Sequence, residues 1–387
     1  MGILLGMQAP KIHLLPSEIL NLISEIDEFK GRWSATQALA PDRLVALRQV
    51  ATIESVGSST RIEGVKLTNS EVEALLKGVK TYSFKSRDEQ EVAGYAELME
   101  MIFSSYKDIS FTENHIKQLH SIILKYSTKD DRHRGHYKKF SNSVEAIGAD
   151  GKSKGVIFHT ATPFDTPTLM TDLIHWTNTQ IERKELHPLL VVATFVVVFL
   201  HIHPFQDGNG RLSRALTTLL LLKFGYTYVP YSSFERIVEE NKDSYYLSLL
   251  RGQAELENFG TKASKKNTTK SNIKVSSKVV DTAKIKLTTK TKSGGLNDWF
   301  IFFLKSMRKQ KLTLENKMKD ELILTKLPPL SLQLLELIQS RGSISIGEAA
   351  AITGANRNTL KLHFRNLVND GRIKKEGVGR GLRYRIR

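Results

Sequence analysis

At 387 residues the chain is long enough for two or three domains and a substantial buried core. With 40% hydrophobic and 25% charged residues it reads as soluble and globular, and the lack of any cysteine excludes disulfides and thiolate metal sites and suits a reducing, cytoplasmic compartment. The net charge of +17 is concentrated: residues 261–295 hold ten lysines and one aspartate, +9 of the total, so charge alone does not mark a nucleic-acid enzyme.

The start, MGILLGMQAPKIHLLP, has no basic leading region and no evident small-residue cleavage site, so no signal peptide is read. Apolar spacing then predicts helices over 16–30, 41–63, from 69 or 70 onward, 88–105 and 112–126. The pattern changes at 137–163. SVEAI and GVIFHT are short and β-prone, and the turn-rich GADGKSKG between them predicts a hairpin. Helix resumes over 167–181. Pro188 opens the uncharged run LLVVATFVVVFL, whose 12 residues are too few to span a bilayer and fit a buried helix, so no membrane association is expected. Further helices are predicted over 210–224 and 235–251. Residues 261–295 read as a lysine-rich loop or linker insertion, and LNDWFIFFLKSM after it as a core helix. The last 60 residues show three helices ending at Gly342, Gly354 and Gly371, then strand, glycine turn and strand, the order of a winged helix-turn-helix.

Between the buried run and the helix at 210 lies HPFQDGNGRLSR, residues 203–214. A glycine-rich turn feeding a helix N-terminus exposes backbone N–H groups that suit an anion. Gly208 and Gly210 permit close approach, and Arg211 and Arg214, three apart, add charge-assisted phosphate contacts from one helix face. Asp207 is a candidate Mg²⁺ ligand between phosphate oxygens. His203, stiffened by Pro204, has an ordinary pKa near neutrality and is a candidate general base toward a hydroxyl. The combination suggests transfer of a phosphate-containing group. A metal hydrolase built on His201, His203 and Asp207 is disfavoured, because two histidines two residues apart diverge on a helix and no third ligand motif is evident.

The loop resembles the motif of the Fic family, H-P-F-x-[D/E]-G-N-G-R-x-x-R, and matches it at every specified position: His203, Pro204, Phe205, Asp207, Gly208, Asn209, Gly210, Arg211 and Arg214. The resemblance covers roughly residues 44–299, interrupted by the lysine stretch. It implies a mainly α fold, a Fic helical bundle with a β-hairpin flap, here followed by the winged helix-turn-helix. It also implies transfer of AMP from ATP to a Ser, Thr or Tyr hydroxyl of a protein, with release of pyrophosphate and with Mg²⁺, or Mn²⁺ in its place. His203 would be the base, Phe205 a core anchor counted with the nucleotide site, and Asp207 the metal ligand. Gly208, Asn209, Gly210 and Arg211 would hold the α- and β-phosphates and Arg214 the γ-phosphate. Tyr245 and Tyr246 resemble the segment that closes the adenine side, and Val144, Glu145, Ala146 and Ile147 the target-docking strand of the flap. Relatives with this fold also transfer phosphate, UMP or phosphocholine, or remove AMP; Asp207-Gly208-Asn209 follows the AMP-transferring pattern.

SSTRIEG, residues 58–64, fits the family's self-restraining pattern [S/T]-x-x-x-E-[G/N] at Ser59, Glu63 and Gly64. A glutamate inserted beside the cradle would pair with Arg214 and withhold it from ATP. The expected domains are therefore a helical region over 1–85 with an inhibitory helix at about 44–64, a catalytic core over 86–260, the lysine-rich insertion over 261–295, a helical extension over 296–326 and the winged helix over 327–387. In that last domain Arg357, Asn358, Lys361, His363 and Arg365 lie on the candidate recognition helix, and Lys374, Lys375, Arg380, Arg383, Arg385 and Arg387 on the wing. Basic side chains there suit duplex DNA, so the alternative readings are an enzyme of this family that removes AMP, or a DNA-binding regulator with a nucleotide-sensing core. A target protein and a homodimer are the other partners expected from relatives.

Overall fold

The computed structural model describes residues 15–36, 41–78, 84, 86–147, 153–263, 295–325, 328–377 and 379–386. The chain forms two compact units, Met1–Thr313 and Leu314–Arg387. As expected, it is mainly helical.

The first unit begins with α1, Ser17–Thr36, which turns Ile19, Leu22, Ile26, Phe29 and Trp33 inward at alternating spacings of three and four. α2, Pro41–Ile62, packs against α3, Asn69–Gly78, α4, Arg87–Ser105, and α9, Phe234–Glu240. α4 crosses α5, Glu113–Ile123, at Gly94, where an added Cβ would lie 2.2 Å from the Ile123 carbonyl oxygen. Gly94→Ala must push these backbones apart, and a loss of about 1–3 kcal/mol is expected. A shift in the thermal melting midpoint checks this; an unchanged midpoint would remove the close crossing.

The centre of the unit is α7, Pro188–Ile202, in which every residue from Leu189 to Ile202 is buried. A helix apolar on all sides needs neighbours on all sides. α6, Thr166–Arg183, α8, Asn209–Lys223, and α10, Lys242–Ala263, supply them. Trp299 of α11, Gly295–Thr325, donates its indole N–H to the Ala193 carbonyl at 2.7 Å. α10 and α11 meet closely: a Cβ on Gly295 would stand 2.2 Å from the Arg251 carbonyl oxygen, and the Leu296 N–H donates to the Glu255 carboxylate at 2.9 Å. Most of the lysine-rich stretch, residues 264–294, lies outside the described residues.

The single helix expected over 235–251 is two. Asn241 separates α9 from α10. Its side-chain amide donates to the Ile237 carbonyl at 2.7 Å, and its own carbonyl accepts the Tyr245 N–H at 2.9 Å. One asparagine thus ends one helix and starts the next, a competition that apolar periodicity does not register.

The hairpin expected after Tyr137 is present as β1, Ser143–Ile147, and β2, Ser153–His159, paired antiparallel. Val144 faces Phe158, Glu145 faces Val156, Ala146 faces Gly155 and Ile147 faces Ser153, with irregularities after Val144 and after Ala146. Residues 148–152 of its turn lie outside the described residues, as do the side chains of the strands.

The second unit contains α12, Pro329–Arg341, α13, Ile346–Thr353, and α14, Arg357–Asn369, followed by β3, Ile373–Glu376, and β4, Arg383–Ile386, paired antiparallel. Its core gathers Leu334, Ile338, Leu360, Phe364 and Leu367, with Tyr384 stacked on Phe364 at 4.1 Å. Ser345 and Glu348 form a capping box at the start of α13. Among the described residues, no helix is long and apolar enough to cross a membrane.

Candidate active site

The loop 203–208 joins the C-terminus of α7 to the N-terminus of α8. His203 caps α7 in the left-handed region, φ 53°, and its N–H donates to the Phe199 carbonyl at 2.9 Å. A bulky residue at positive φ is strained and holds its side chain in a direction that helical backbone would not. The imidazole Nδ1 lies 3.3 Å from the Leu200 carbonyl oxygen, so Nδ1 carries the hydrogen and Nε2 is left as an acceptor. Burial lowers the imidazole pKa to about 4, assisted by Lys138 and opposed by the Leu200 contact, Glu63 and Asp207. At neutral pH the ring is an uncharged base.

Gly208 turns the chain into α8 at φ 80° without a side-chain cap, which leaves the first backbone N–H groups of the helix unsatisfied by side chains. Asp207 is half-buried. Its Oδ1 accepts from the Gly208 N–H at 2.6 Å and its Oδ2 lies 3.1 Å from Arg87. Arg87 also reaches Glu91 at 2.7 Å, and Glu91 pairs with the buried Arg211 at 3.0 Å. The Arg211 Nε has no hydrogen-bond partner among the described residues, so a donor is left over at the cradle. Asp207 is the partly exposed carboxylate at this cradle, with Arg87 at 3.1 Å and Arg211 at 3.6 Å, and among the described residues there is no cluster of three or more metal-ligating side chains.

Three of the expected roles change in detail. Phe205 is fully buried and stacks on His120 at 3.8 Å, so it anchors the loop and does not line a nucleotide surface. The Asn209 side chain accepts from the Phe205 N–H at 2.9 Å and donates to the Phe205 carbonyl at 2.7 Å. It shapes the loop and leaves only its backbone for an anion. Tyr245 is buried against Trp299 and next to Arg214, while Tyr246 is 38% exposed, so of the pair Tyr246 is the one open to a ligand.

The helix carrying SSTRIEG reaches this cradle. Ser59 accepts from the Arg214 Nε at 2.8 Å through its hydroxyl and from Nη2 at 2.8 Å through its carbonyl. Glu63 accepts from the same Nη2 at 2.8 Å. Its carboxylate lies against Gly210, where an added Cβ would come within 2.2 Å. Gly64, φ 106°, terminates the helix directly after it. Arg214 is buried, which works against its charge, and Glu63 beside it restores the preference for the protonated form. The segment is fastened elsewhere too: Arg61 pairs with Glu239 through two bonds, 2.7 and 3.0 Å, and Lys242 donates to the Ile62 carbonyl at 2.7 Å.

Two positioning residues were given no role of their own by sequence, although Lys138 falls in the Gly135-His136-Tyr137-Lys138 stretch that resembles the start of the flap region. His120 shares the buried face of α5 with Ile116, Leu119 and Ile123. Its Nδ1 accepts the Gly135 N–H at 3.0 Å, which fixes Nε2–H toward the Asp207 carbonyl at 3.0 Å. Burial lowers its pKa to about 4, so it acts as a neutral brace under the loop. The signal was a lone histidine on an apolar helix face, which composition alone reads as packing. Lys138, buried between the hairpin and the loop, is the other.

Comparison with known proteins shows what these features are similar to. Residues 110–221 match the Fic/DOC family. A protein adenylyltransferase Fic from Drosophila mojavensis is 29% identical over 231 residues, 59% of this chain and 42% of the relative. The counterpart from Drosophila grimshawi is 28% identical over 228 residues, 58% and 43% respectively. The chain thus spans less than half the length of these curated relatives. The fold resembles a Fic family protein from Desulfovibrio desulfuricans, with TM-score 0.56 and 21% identity over 96% of this chain and 97% of that one. It also resembles a Fic domain containing signaling protein from Bacteroides thetaiotaomicron, with TM-score 0.54 and 24% identity over 76% of this chain and 97% of that one.

Proposed function

From the premise that the chain carries a Fic/DOC domain over residues 110–221, we propose that it is a protein adenylyltransferase held in check by its own α2. The observation that carries the reading is a neutral His203 beside an anion cradle whose far arginine, Arg214, is engaged by Glu63 at 2.8 Å. In the reaction, Nε2 of His203 accepts the proton of a Ser, Thr or Tyr hydroxyl. The hydroxyl oxygen attacks the α-phosphorus of ATP, forming the P–O bond to AMP, and the bond to the β-phosphate oxygen breaks to release pyrophosphate. The backbone N–H groups from Asn209 to Arg211, which Gly208 turns toward the ligand, and the Arg211 guanidinium hold the α- and β-phosphates. Asp207 would hold Mg²⁺, or Mn²⁺ in its place, which when bound neutralises phosphate charge. Arg214 takes the γ-phosphate only when Glu63 withdraws, since one guanidinium cannot serve both carboxylate and phosphate. Tyr246 borders the adenine side, and β1 offers its edge to a target strand through backbone hydrogen bonds.

The test is incubation of wild type, Glu63→Gly and His203→Ala with Mg²⁺ and ATP labelled at the α-phosphate, read by intact mass. One added AMP in Glu63→Gly, lost in His203→Ala, supports the reading. ATP binding with no label in any variant would overturn it and favour removal of AMP or another donor nucleotide.

A second reading concerns the 314–387 unit, which we interpret as a winged helix. Arg357, Lys361 and Arg365 recur every four residues on the exposed side of α14, and none is ion-paired among the described residues. Three of the six wing cations are already engaged: Arg383 with Glu348 at 2.9 Å, and Lys374 and Arg385 with Glu376 at 3.0 and 3.3 Å. Contact with duplex DNA would therefore run through α14 more than through the wing. Lys361→Ala with Arg365→Ala is expected to weaken binding of a duplex about tenfold at moderate salt and to reduce the salt slope by about 2. A gel shift with the full chain that is insensitive to both changes would remove DNA from this face.

A further inference from the structure

Lys138 is 3% exposed, yet its ammonium has no carboxylate partner among the described residues. Burying an unpaired charge is costly unless every proton is taken by an acceptor. Here all three are. Nζ donates to the Asn142 side-chain oxygen at 2.8 Å, to the Thr160 hydroxyl at 2.9 Å and to the Ile202 carbonyl at 3.0 Å. Asn142 immediately precedes β1 and Thr160 immediately follows β2, so two of the acceptors are the two roots of the hairpin. Ile202 is the residue before His203.

The same junction is fastened by the surrounding groups. The Lys138 N–H donates to the Pro204 carbonyl at 2.9 Å, the Asn142 amide donates to the Phe205 carbonyl at 2.8 Å, and the Thr160 hydroxyl donates to the Asn142 carbonyl. The loop is therefore gripped on both sides of His203, at 202 and at 204–205, by residues that also hold the hairpin. A tetrahedral ammonium joins three points that a two-donor amide or a hydroxyl could not join.

We infer that Lys138 is a positioning residue that fixes the register between the hairpin and His203, so that a hydroxyl on a strand added to the hairpin meets the imidazole. The inference rests on the adenylyltransferase reading. Its chemical requirement is geometric: a misplacement of about 1 Å between the base and the hydroxyl costs roughly 100-fold in rate. The ammonium has a second effect from the same place. The charged groups acting on His203 are Lys138 from the segment before β1, Glu63 from α2 and Asp207 from its own loop, while Arg211 and Arg214 of α8 are paired with carboxylates. Of the three, only Lys138 disfavours the imidazolium. Removing it raises the imidazole pKa, and a base must be unprotonated, so the acid limb of the rate profile moves to higher pH.

The experiment uses the full chain in the Glu63→Gly background. Lys138→Met keeps the apolar stem and removes the donors and the charge. The expected result is a kcat for AMP transfer to protein lowered roughly 10- to 100-fold, an unchanged KM for ATP, and an acid limb displaced upward. An unchanged kcat, or a loss matched by a rise in KM for ATP with the limb unmoved, overturns the inference. Should Lys138→Met fail to fold, Thr160→Val removes one acceptor and keeps the cation. It is expected to lower kcat with the limb in place, and full activity there overturns the inference equally. If the Glu63→Gly parent itself transfers no AMP, the adenylyltransferase reading fails, and amide hydrogen exchange then decides about the clamp. Faster exchange in Lys138→Met at both the hairpin and 202–206 upholds it, and faster exchange at neither or only one refutes it.

Discussion

Glu63→Gly is expected to raise AMP incorporation by roughly 10- to 100-fold over wild type. The size follows from the contact it removes. A hydrogen bond between charged partners contributes about 1.5–3 kcal/mol, and each 1.4 kcal/mol is about a factor of ten. The Glu63 carboxylate holds Arg214 at 2.8 Å and also fills the space above Gly210. Its loss frees the guanidinium and the volume together. Ser59 continues to hold Arg214 through two hydrogen bonds, so the arginine stays aimed at the cradle in the variant. That is why glycine at 63 should activate rather than merely loosen. Titration of ATP against labelled product checks it, and equal labelling in wild type and variant would leave α2 as ordinary packing.

His203→Ala in the Glu63→Gly background is expected to lower the rate by about 10²- to 10⁴-fold, the range for loss of a general base. Binding of ATP should persist, because the phosphate contacts proposed for this loop fall on residues 208–214 and not on the imidazole. The pH dependence has a definite sign. The imidazole pKa is lowered to about 4, chiefly by burial, so the base remains available down to that region and activity falls only as the pH approaches it. A rate profile of the active variant with an acid limb near the ordinary histidine value of about 6.5 would mean that His203 opens to solvent when Glu63 is gone.

The parts legible in the sequence are those written in local pattern. The buried helix α7 was visible as an uncharged run, and the loop after it as glycines, arginines and a histidine in fixed order. The pairing of Glu63 with Arg214, 151 residues apart, was legible only through resemblance, since no local spacing encodes it. His120, Lys138 and Glu91 stayed hidden because their roles depend on what the fold brings to them: a carbonyl at Asp207, the two roots of a hairpin, a buried arginine. Asn209 was assigned to the ligand by position in the motif, whereas its side chain builds the loop that the ligand would meet, and Phe205, counted with the nucleotide site, serves as the core anchor it was also expected to be. Lys374, Arg383 and Arg385 of the wing looked free because their partners, Glu348 and Glu376, come from a capping box and a neighbouring strand position.

The left-handed backbone at His203 has a consequence for selection. Helices commonly end on glycine at such a position, and any larger L-residue there costs roughly 1 kcal/mol. Glycine at 203 would relieve that strain but leave empty the space the buried imidazole fills, so selection for stability alone pulls in two directions at this position. Histidine therefore persists there at little net cost to the fold, and its loss is expected to leave a folded protein that lacks only its base.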